Sequence, residues 1–382
     1  MNVLILGADG YLGWPTCMYF SQKGHNVIGV DNYFRRNETI ALDCEPLIPV
    51  PNLIQRSRIW KKNTGNKIQV RIGDITNYYF LKSIFEQFNP DTVIHYAEQP
   101  SAPYSMLDYD KAAFTLKNNL ITTLNVIYAV KEITNECHII KLGTMGEYGT
   151  PNIDIEEGFL EINHKGRKDN FLFPRQASSL YHTTKIHDTD LLWFYIRTWN
   201  LRATDLMQGP VYGISTYESD IDPRLLSFFN YDEIFGTVLN RFVIQAVSGH
   251  PLTIYGKGNQ IRGYINLKDT MQCVYLSATN PAKHGELRIF NQFTEAFSVN
   301  DLADKVLTTG KKLGYQIRKK HFNNPRVEKE EHYYNPKHTE LINLGLKPHY
   351  LTDKILADFF RIAERYKDRI IHDKFFRGVK WK

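Results

Sequence analysis

The sequence predicts an α/β protein built on a doubly wound parallel sheet, followed by a smaller second domain. Two features of the first half predict the sheet: short apolar, β-branched runs alternate with helical patterns, and the first run ends in a glycine-rich turn. After about residue 210 the alternation loosens, which favours a second domain assembled from separate segments. A chain of 382 residues is long enough for two domains with cores of ordinary size.

The predicted elements follow one another in the order typical of a Rossmann-type sheet. The predicted strands lie at residues 3–6, 26–30, 67–72, 92–95 and 137–142. Helical patterns cover residues 11–23, after the first strand, and 114–130, before the last one. Strands that alternate with helices in this way pair in parallel, with helices on both faces of the sheet.

Composition excludes several classes of protein. Lys and Arg number 47 against 41 Asp and Glu, and this net charge of +6 suits a nucleotide as well as a nucleic acid. The basic residues form no dense stripe, so we expect no nucleic-acid partner. No run of about 18 apolar residues is present, so no membrane span is expected. The four cysteines are scattered without a C-x-x-C pair, which argues against disulfides or a metal site and fits a reducing cytoplasm. A strand that starts at residue 2 also predicts no secretory or transit segment.

A cofactor site is predicted at the first turn. Gly7, Gly10 and Gly13 form a G-x-x-G-x-x-G pattern between the first strand and the first helix. Glycine there lets a pyrophosphate approach the free N–H groups of the helix N-terminus, although a plain turn is the alternative interpretation. Asp31 ends the second strand, where a carboxylate accepts hydrogen bonds from ribose hydroxyls and repels a 2′-phosphate. The pattern therefore predicts binding of NAD rather than NADP.

Three further residues qualify this prediction. Arg35 and Arg36 follow Asp31 closely and leave NADP as an alternative. Asp74, in the turn after the third strand, either reaches the adenine or caps the following helix.

Two long stretches interrupt the regular alternation. Residues 35–66 contain three prolines and several charges, and residues 154–179 form a polar insertion. Loops of this length are usually functional or bind a partner. We expect an NAD-binding Rossmann domain over residues 1–210, with these two insertions. A smaller substrate-binding domain should cover residues 211–382, with some C-terminal segments returning to the first domain.

A catalytic pair is predicted in the second half of the first domain. Tyr181 and Lys185 form a Y-x-x-x-K element, whose spacing places phenol and ammonium on one helix face. A neighbouring cation lowers the pKa of a tyrosine towards neutrality, so that the phenolate can act as general base on an alcohol. A surface Tyr/Lys pair is the alternative. Thr144 places a hydroxyl at the end of a predicted parallel strand, where ligand crevices open.

These three residues, behind a dinucleotide-binding half, resemble the extended short-chain dehydrogenase/reductase superfamily, which acts on nucleotide sugars. Other marks of the superfamily are Asn119, residues 202–204 (RAT) and residues 209–213 (GPVYG). More narrowly, residues 1 to about 350 resemble the family of UDP-sulfoquinovose synthases. The blocks that carry this resemblance are ADGYLGW at 8–14, KLGTMGEYGTPNIDIEEG at 141–158, IYGKGNQ and RGY within 254–264, FNQFTEAFSVN at 290–300 and NPRVEKEEHYYNPKH at 324–338.

The resemblance implies a reaction in which UDP-glucose and sulfite give UDP-sulfoquinovose and water. The sugar is oxidised at C4 by bound NAD, loses water across C5–C6, adds sulfite at C6 and is reduced again at C4. In this scheme Tyr181 is the base at the 4-hydroxyl, Lys185 lowers the pKa of Tyr181 and holds the nicotinamide ribose, and Thr144 hydrogen-bonds the 4-oxygen. The family is formally classed with hydrolases that act on carbon–sulfur bonds.

The residues after Thr144 depart from a related pattern. Sugar 4,6-dehydratases of the superfamily carry Asp-Glu there as acid and base, whereas this chain has Met145 and Gly146. Another group must then serve C5 and C6, and His182 and Glu147 are the candidates. The alternatives are that His182 is an ordinary polar helix residue and that Glu147 only binds backbone groups.

The resemblance also implies the binding residues. Arg262 and Arg326 match two arginines that clamp the diphosphate, for which the planar guanidinium is well suited. An arginine in the E-Q-R-S block of the family is Pro100 in this chain, which leaves the sulfite-binding residues open. The implied cofactor-binding residues are Gly7, Gly10, Tyr11, Leu12, Gly13, Asp31, Asn32, Tyr33, Arg35, Asp74, Ile75, Ala97, Asn119, Tyr181, Lys185, Gln208 and Val211. The implied substrate-binding residues are Thr144, Gln208, Thr237, Asn240, Arg241, Thr253, Tyr255, Gln260, Arg262 and Arg326.

Two other functions compete with this interpretation. A UDP-hexose 4-epimerase would share Thr144, Tyr181, Lys185 and the nucleotide clamp, but would need no chemistry at C5 and C6. A non-catalytic NAD-sensing or RNA-binding scaffold would tolerate erosion of the catalytic set, which is complete here. The resemblance further implies a homodimer that forms through helices of the first domain.

Overall fold

The computed structural model describes residues 1–325, 331–376, 378–379 and 381. The strands are β1 (Asn2–Leu6), β2 (Asn26–Asp31), β3 (Ile68–Ile72), β4 (Thr92–His95), β5 (His138–Thr144), β6 (Phe159–His164), β7 (Arg167–Leu172), β8 (Ala203–Gln208), β9 (Val211–Tyr212), β10 (Leu252–Tyr255), β11 (Ile261–Asn266), β12 (Leu287–Gln292), β13 (Glu295–Ser298) and β14 (Lys319–Phe322). The helices are α1 (Gly13–Gln22), α2 (Phe34–Ala41), α3 (Leu53–Thr64), α4 (Tyr78–Phe88), α5 (Tyr109–Ile133), α6 (Leu180–Trp199), α7 (Val238–Val247), α8 (Leu267–Thr279), α9 (Val299–Lys312), α10 (Glu340–Asn343) and α11 (Asp353–Glu364).

The main sheet is parallel and has the strand order β12-β8-β5-β4-β1-β2-β3. The chain order reverses between β1 and β4, so a crevice opens there at the carboxyl ends of the strands. One apolar layer, formed with α4, α5 and α6, covers one face of the sheet, and a second, formed with α1, α3 and α8, covers the other. The predicted α/β fold class is confirmed, and the strands predicted in the first half each lie within two residues of an observed one.

The two insertions are more ordered than the sequence suggests. Residues 35–66 contain most of α2 and all of α3, and α3 begins at a capping box in which Asn52 and Gln55 bond reciprocally. Residues 154–179 contain the antiparallel hairpin β6–β7. The sequences of both insertions are typical of loops because they contain few apolar residues. In the first insertion the three prolines all precede the start of α3.

The C-terminal half contributes to both parts of the molecule. Strand β12 pairs in parallel with β8 and forms an edge of the main sheet. A separate apolar core collects α7, α9 and α11 beside the β10–β14 pair. Leu47, Ile48 and Val50 of the first insertion are buried in this core, so residues 35–66 connect the two halves. In the part of the chain that the structure describes, no helix is long and apolar enough to cross a membrane.

Candidate active site

A cavity of about 700 Å³ lies at the carboxyl ends of β1, β2, β4 and β5, and its far wall comes from α7, β10 and β11. Ligand crevices of open α/β sheets form at this place because the loops there diverge on either side of the switch point. We divide the cavity into three parts. The cofactor end lies beside the glycine turn, the reacting centre lies beside Thr144, and the nucleotide end lies beside β10.

At the cofactor end the glycine turn is fixed by close backbone packing. Gly7 has φ +87°, and a Cβ built on it would lie 2.8 Å from the backbone carbon of Tyr96. A Cβ on Gly13, the first residue of α1, would lie 1.9 Å from the carbonyl oxygen of Gly7. Side chains are therefore excluded at the helix N-terminus, and the bare N–H groups form a cradle that fits a dinucleotide pyrophosphate.

Asp31 lies at the cavity wall and is held by backbone donors. Its carboxylate accepts hydrogen bonds from the N–H of Asp9 at 2.8 Å and of Tyr33 at 2.6 Å. Burial, followed by the charge of Asp9, raises the pKa of Asp31 to about 6. The group is thus ionised at neutral pH and available to ribose hydroxyls.

The two arginines that left NADP open are committed elsewhere. Arg36 pairs through two nitrogens with the carboxylate of Asp9, both at 3.1 Å. Arg35 donates to Asn230 at 3.0 Å and stacks over the ring of Phe235 at 3.8 Å. Arg35 lines the cavity, but both guanidinium groups already have partners in the protein, and this arrangement fits NAD.

Asp9 has a second partner from the first insertion. Arg56 of α3 is fully buried and donates to Asp9 at 2.5 Å, while its guanidinium stacks on Trp14. The insertion therefore supplies a buried counter-charge to the glycine turn.

Asp74 also lies at the cofactor end of the cavity. Its carboxylate accepts hydrogen bonds from the backbone and hydroxyl of Thr76, both at 2.8 Å. The alternative that Asp74 caps α4 is wrong, because Asn77 occupies the N-cap and accepts from residues 79 and 80.

Thr144 and Tyr181 face the reacting centre from two different elements. Thr144 is the last residue of β5 and caps the short 3₁₀-helix Met145–Glu147, since its Oγ accepts from the N–H of Gly146 at 3.2 Å. Tyr181 lies in the first turn of α6, which Ser179 caps. The parallel sheet and the helix start thus bring together two hydroxyl groups that are 37 residues apart in the sequence.

Lys185 lies behind Tyr181 and not at the cavity wall. Its Nζ donates to both carboxylate oxygens of Glu98, each at 2.6 Å, and lies 3.4 Å from Asp188. Burial raises the pKa of Tyr181 well above its ordinary value, Lys185 lowers it, and Glu98 raises it further. Lys185 lowers this pKa as expected, while burial and the charge of Glu98 hold it above its ordinary value in the chain by itself.

His182 fills the space beside Thr144. Its Nδ1 lies 3.0 Å from the hydroxyl of Ser179 and 3.3 Å from that of Ser178. A Cβ on Gly146 would lie only 2.3 Å from Nε2 of His182. The imidazole can therefore lie against residue 146 only because that residue is glycine. In 4,6-dehydratases a glutamate stands at this position, and in this chain the ring of His182 takes up that space.

Glu147 does not reach the cavity. It is completely buried, accepts from the N–H of Thr144 at 3.1 Å, and lies 3.5 Å from Lys141 and 3.6 Å from Arg175. Burial raises its pKa. As a candidate acid or base at the sugar it is corrected: its carboxylate fixes the backbone at the end of β5.

Four other predicted contacts also lie off the cavity wall or outside the described residues. Asn119 bonds with Gln99 and Thr184 in the interior. Tyr33 accepts from the backbone of residue 53, and Asn240 donates to the hydroxyl of Tyr11 at 3.2 Å. Arg326 lies outside the described residues. The predicted residues that do line the cavity are Gly7, Gly10, Tyr11, Leu12, Gly13, Asp31, Asn32, Arg35, Asp74, Ile75, Ala97, Thr144, Tyr181, His182, Gln208, Val211, Thr237, Arg241, Thr253, Tyr255, Gln260 and Arg262.

The nucleotide end carries two of the predicted cations. Arg262 on β11 lines the cavity and donates to the ring nitrogen of His332 at 2.9 Å. Arg241 on α7 is nearly buried, and its Nε has no hydrogen-bond partner among residues that the structure describes. Tyr255, at the end of β10, donates to Glu233 at 2.6 Å. Two guanidinium groups at one end of a cavity are suited to a diphosphate.

Glu98 is the main site residue that the sequence analysis missed. It follows β4, lines the cavity and is nearly buried. The signal was present, because a polar residue just after a parallel strand is the same feature that indicated Thr144.

A family model described as the NAD dependent epimerase/dehydratase family matches residues 3–291. The chain belongs to this family, whose cofactor, NAD, fits the glycine turn and Asp31. Solved structures show the same fold: the UDP-glucuronic acid 4-epimerase of Bacillus cereus, in complex with UDP-glucuronic acid and NAD, has a TM-score of 0.71 at 19% identity, over 96% of this chain and 99% of that one.

Within the family the chain groups with the UDP-sulfoquinovose synthases. It is 51% identical over 381 residues to the chloroplastic UDP-sulfoquinovose synthase of Spinacia oleracea, which covers 100% of this chain and 79% of that protein. It is 46% identical over 349 residues to the UDP-sulfoquinovose synthase of Sulfolobus acidocaldarius, over 91% of this chain and 88% of that protein. The dTDP-glucose 4,6-dehydratase of Haemophilus influenzae is more distant, at 22% identity over 73% of this chain.

Proposed function

We propose that this chain is a UDP-sulfoquinovose synthase that converts UDP-glucose and sulfite into UDP-sulfoquinovose and water. Identities of 51% and 46% to proteins of that name support the proposal. The single observation that carries it is the imidazole of His182 packed on Gly146 beside Thr144, since it offers a titratable group for C6 where dehydratases have a carboxylate.

The residues of the reacting centre have separate roles in this proposal. Tyr181 takes the proton of the 4-hydroxyl, and Thr144 hydrogen-bonds the 4-oxygen. NAD, when bound, supplies the reversible exchange of hydride with C4. The resulting ketone acidifies the proton at C5. Loss of this proton and of the C6 hydroxyl gives water and an enone, to which sulfite adds at C6 while C5 takes a proton back. Re-reduction at C4 returns the cofactor to its starting form, so the overall change is a hydroxyl replaced by a sulfonate.

His182 is proposed to give a proton to the departing C6 hydroxyl. The hydroxyls of Ser178 and Ser179 near Nδ1 orient its ring, and the ring meets the cavity at Gly146. Glu147 is proposed as a positioning residue that fixes Thr144 through its backbone N–H.

Binding of the nucleotide is proposed for the other end of the cavity. Arg262 and Arg241 face the diphosphate, with Arg326 as the further arginine that the family pattern implies. Thr253 and Tyr255 line the same end of the cavity and are proposed to contact the uracil. Pro100 lines the cavity without a charge, so the sulfite anion must find its donors among other groups of the wall.

The formal hydrolase class is consistent with this chemistry only when the reaction is written in reverse, because sulfite would then leave C6 by elimination, which cleaves the carbon–sulfur bond, and water would add in its place. In the proposed direction the enzyme forms that bond. The four cysteines are buried and form no disulfide in the described part of the chain, which supports a reducing compartment such as the cytoplasm.

We also propose that the chain forms a homodimer through α5 and α6. Leu116, Ile121 and Phe194 are exposed on these helices, and the ring of Phe194 contacts that of Tyr195. Light scattering should give twice the chain mass, and F194D should shift the population to monomer. A monomeric wild type at micromolar concentration would contradict the proposal.

The test of the proposed activity is mass spectrometry of UDP-glucose incubated with the purified protein, with and without sulfite. A sulfite-dependent product in which hydroxyl is replaced by sulfonate is the expected result. Conversion to UDP-galactose, which is equal in mass and separable by chromatography, would favour the 4-epimerase. Bound NAD with no reaction under either condition would contradict both and favour the scaffold.

A further inference from the structure

A cluster of buried charges lies directly behind the reacting centre. The Lys185 ammonium lies between Glu98, 2.6 Å from both carboxylate oxygens, and Asp188, at 3.4 Å. The exposed fractions of these three side chains are 2%, 5% and 0%. Charges held this far from water keep most of their mutual interaction, so the protonation of each one depends on the others.

Asp188 is the carboxyl group of the cluster that has no hydrogen-bond partner among the described residues. Burial, and then the charge of Glu98, raises the pKa of Asp188 well above its ordinary value. His95, 3.5 Å from Glu98, is neutral because burial and the two nearby lysines, Lys185 and Lys141, hold its pKa well below the usual range. Glu98 is therefore the carboxylate that contacts the ammonium of Lys185 directly.

Among the carboxylates around Tyr181, Glu98 raises the pKa of the phenol most. The groups that face it are Lys185 and Asp188 on its own helix, Glu98 after β4 and Glu147 after β5, while the ring of His182 lies 5.1 Å away. Lys185 stabilises the phenolate, whereas Glu98 opposes it both directly and by neutralising Lys185.

We propose that Glu98 is a positioning residue of the reaction, which fixes the ammonium of Lys185 behind Tyr181 and sets the pH range in which Tyr181 takes the proton of the sugar. This inference rests on the proposed role of Tyr181 as base. It gives Glu98 a role that differs from binding: the carboxylate keeps the base protonated until ligands in the cavity alter the balance of charge around it.

The test compares Glu98→Gln with two matched variants, Asp188→Asn and Glu98→Asp. In E98Q the negative charge is lost from its place nearest Tyr181, so the acid limb of the turnover–pH profile should move to lower pH by about half a unit to one unit. D188N should leave the limb in place, because the oxygens of Asp188 make no hydrogen bond to Lys185, whereas both oxygens of Glu98 do. E98D retains the charge and should keep the wild-type midpoint.

A second measurement reads Tyr181 directly. Carbon-13 NMR of protein labelled at the tyrosine ring, with NAD and UDP bound and with the signal assigned from Tyr181→Phe, compares the midpoint of Tyr181 among the variants; ligands are needed because burial raises the pKa of Tyr181 too far in the chain by itself. The same downward shift is expected in E98Q, with or without turnover. If Tyr181→Phe retained full activity, the proposed function would lose its base, but the NMR midpoints would still test the role of Glu98.

The inference is overturned if E98Q leaves the midpoint unmoved or moves it upwards. It is also overturned if D188N or E98D moves the midpoint by as much as half a unit, which are outcomes that remain measurable if E98Q does not fold. Circular dichroism of each variant establishes that the fold is retained.

Discussion

The cofactor end and the reacting centre of the cavity are built in different ways. The cofactor end is shaped by backbone: residues 7–13 form one continuous turn, and its glycines leave room for little else. The reacting centre is shaped by side chains from segments far apart in the sequence, and Lys185 meets Glu98 across 87 residues. Backbone sites are therefore visible in a short pattern, whereas sites made of distant side chains become visible only when the sheet has brought the strand ends together.

The largest expected effect is at the reacting centre. Tyr181→Phe removes the proposed base, so turnover should fall by at least about 100-fold, within the range that general base catalysis contributes. The affinity for UDP-glucose should change by less than about twofold, because the ring remains. Steady-state assays and calorimetry measure the two quantities, and Tyr148→Phe, which only loses a bond to Asn291, is the control. Retention of more than a tenth of the activity would contradict the assignment.

The second effect tests the contact between His182 and Gly146. In Gly146→Ala the new methyl group would displace the imidazole, and sulfonate formation should fall by about tenfold or more. The rate of oxidation at C4 should remain within about twofold of wild type. This rate is monitored by the absorbance of reduced cofactor after mixing with UDP-glucose.

A double variant sharpens this second prediction. If the methyl acts only by moving the ring, Gly146→Ala combined with His182→Ala should be no slower than His182→Ala alone. Additive losses would mean that Gly146 matters for a reason other than the imidazole.

The third effect concerns the nucleotide end, which also depends on side chains. Arg262→Ala should weaken the binding of UDP by about 1.5–3 kcal/mol, the range of a charge-assisted hydrogen bond. Calorimetric titration with UDP measures it. Lys257→Ala removes an equal charge from an exposed position off the cavity wall and should change the affinity by less than about twofold. Equal losses in both variants would indicate a general electrostatic effect.

The smallest expected effect is at the cofactor end. The pKa of Asp31 is raised to about 6, so the group takes up a proton as the pH falls through that value. NAD needs the ionised acceptor, and its affinity should fall by up to about tenfold per pH unit below this point. The stability of the fold should change in the opposite sense, because a carboxyl with a raised pKa in the folded state costs stability when it is ionised. Fluorescence titration with NAD at several pH values should give a flat profile in Asp31→Asn.

The sequence predicted most of the fold and the cofactor end for a physical reason. Parallel strands are buried on both faces, so β1, β2 and β4 read as continuous apolar runs, and the glycine spacing reports local sterics. The helix α3 was missed because only three of its residues are buried, so its apolar period is weak. The sequence placed Glu147 and Asn119 near the reacting groups but could not distinguish a carboxylate that faces a ligand from one that faces the backbone of Thr144.

The pair formed by Asp9 and Arg56 limits how the sequence can change, both in evolution and in protein engineering. Asp9 is nearly buried inside the glycine turn, and its two cations, Arg36 and Arg56, both come from residues 35–66. A shortened chain without that segment would leave a buried carboxylate uncompensated, at a cost of about 3–5 kcal/mol. Position 9 and the segment must therefore change together: a relative that lacks the segment should carry an uncharged residue at position 9, and a graft of the segment should bring the aspartate with it.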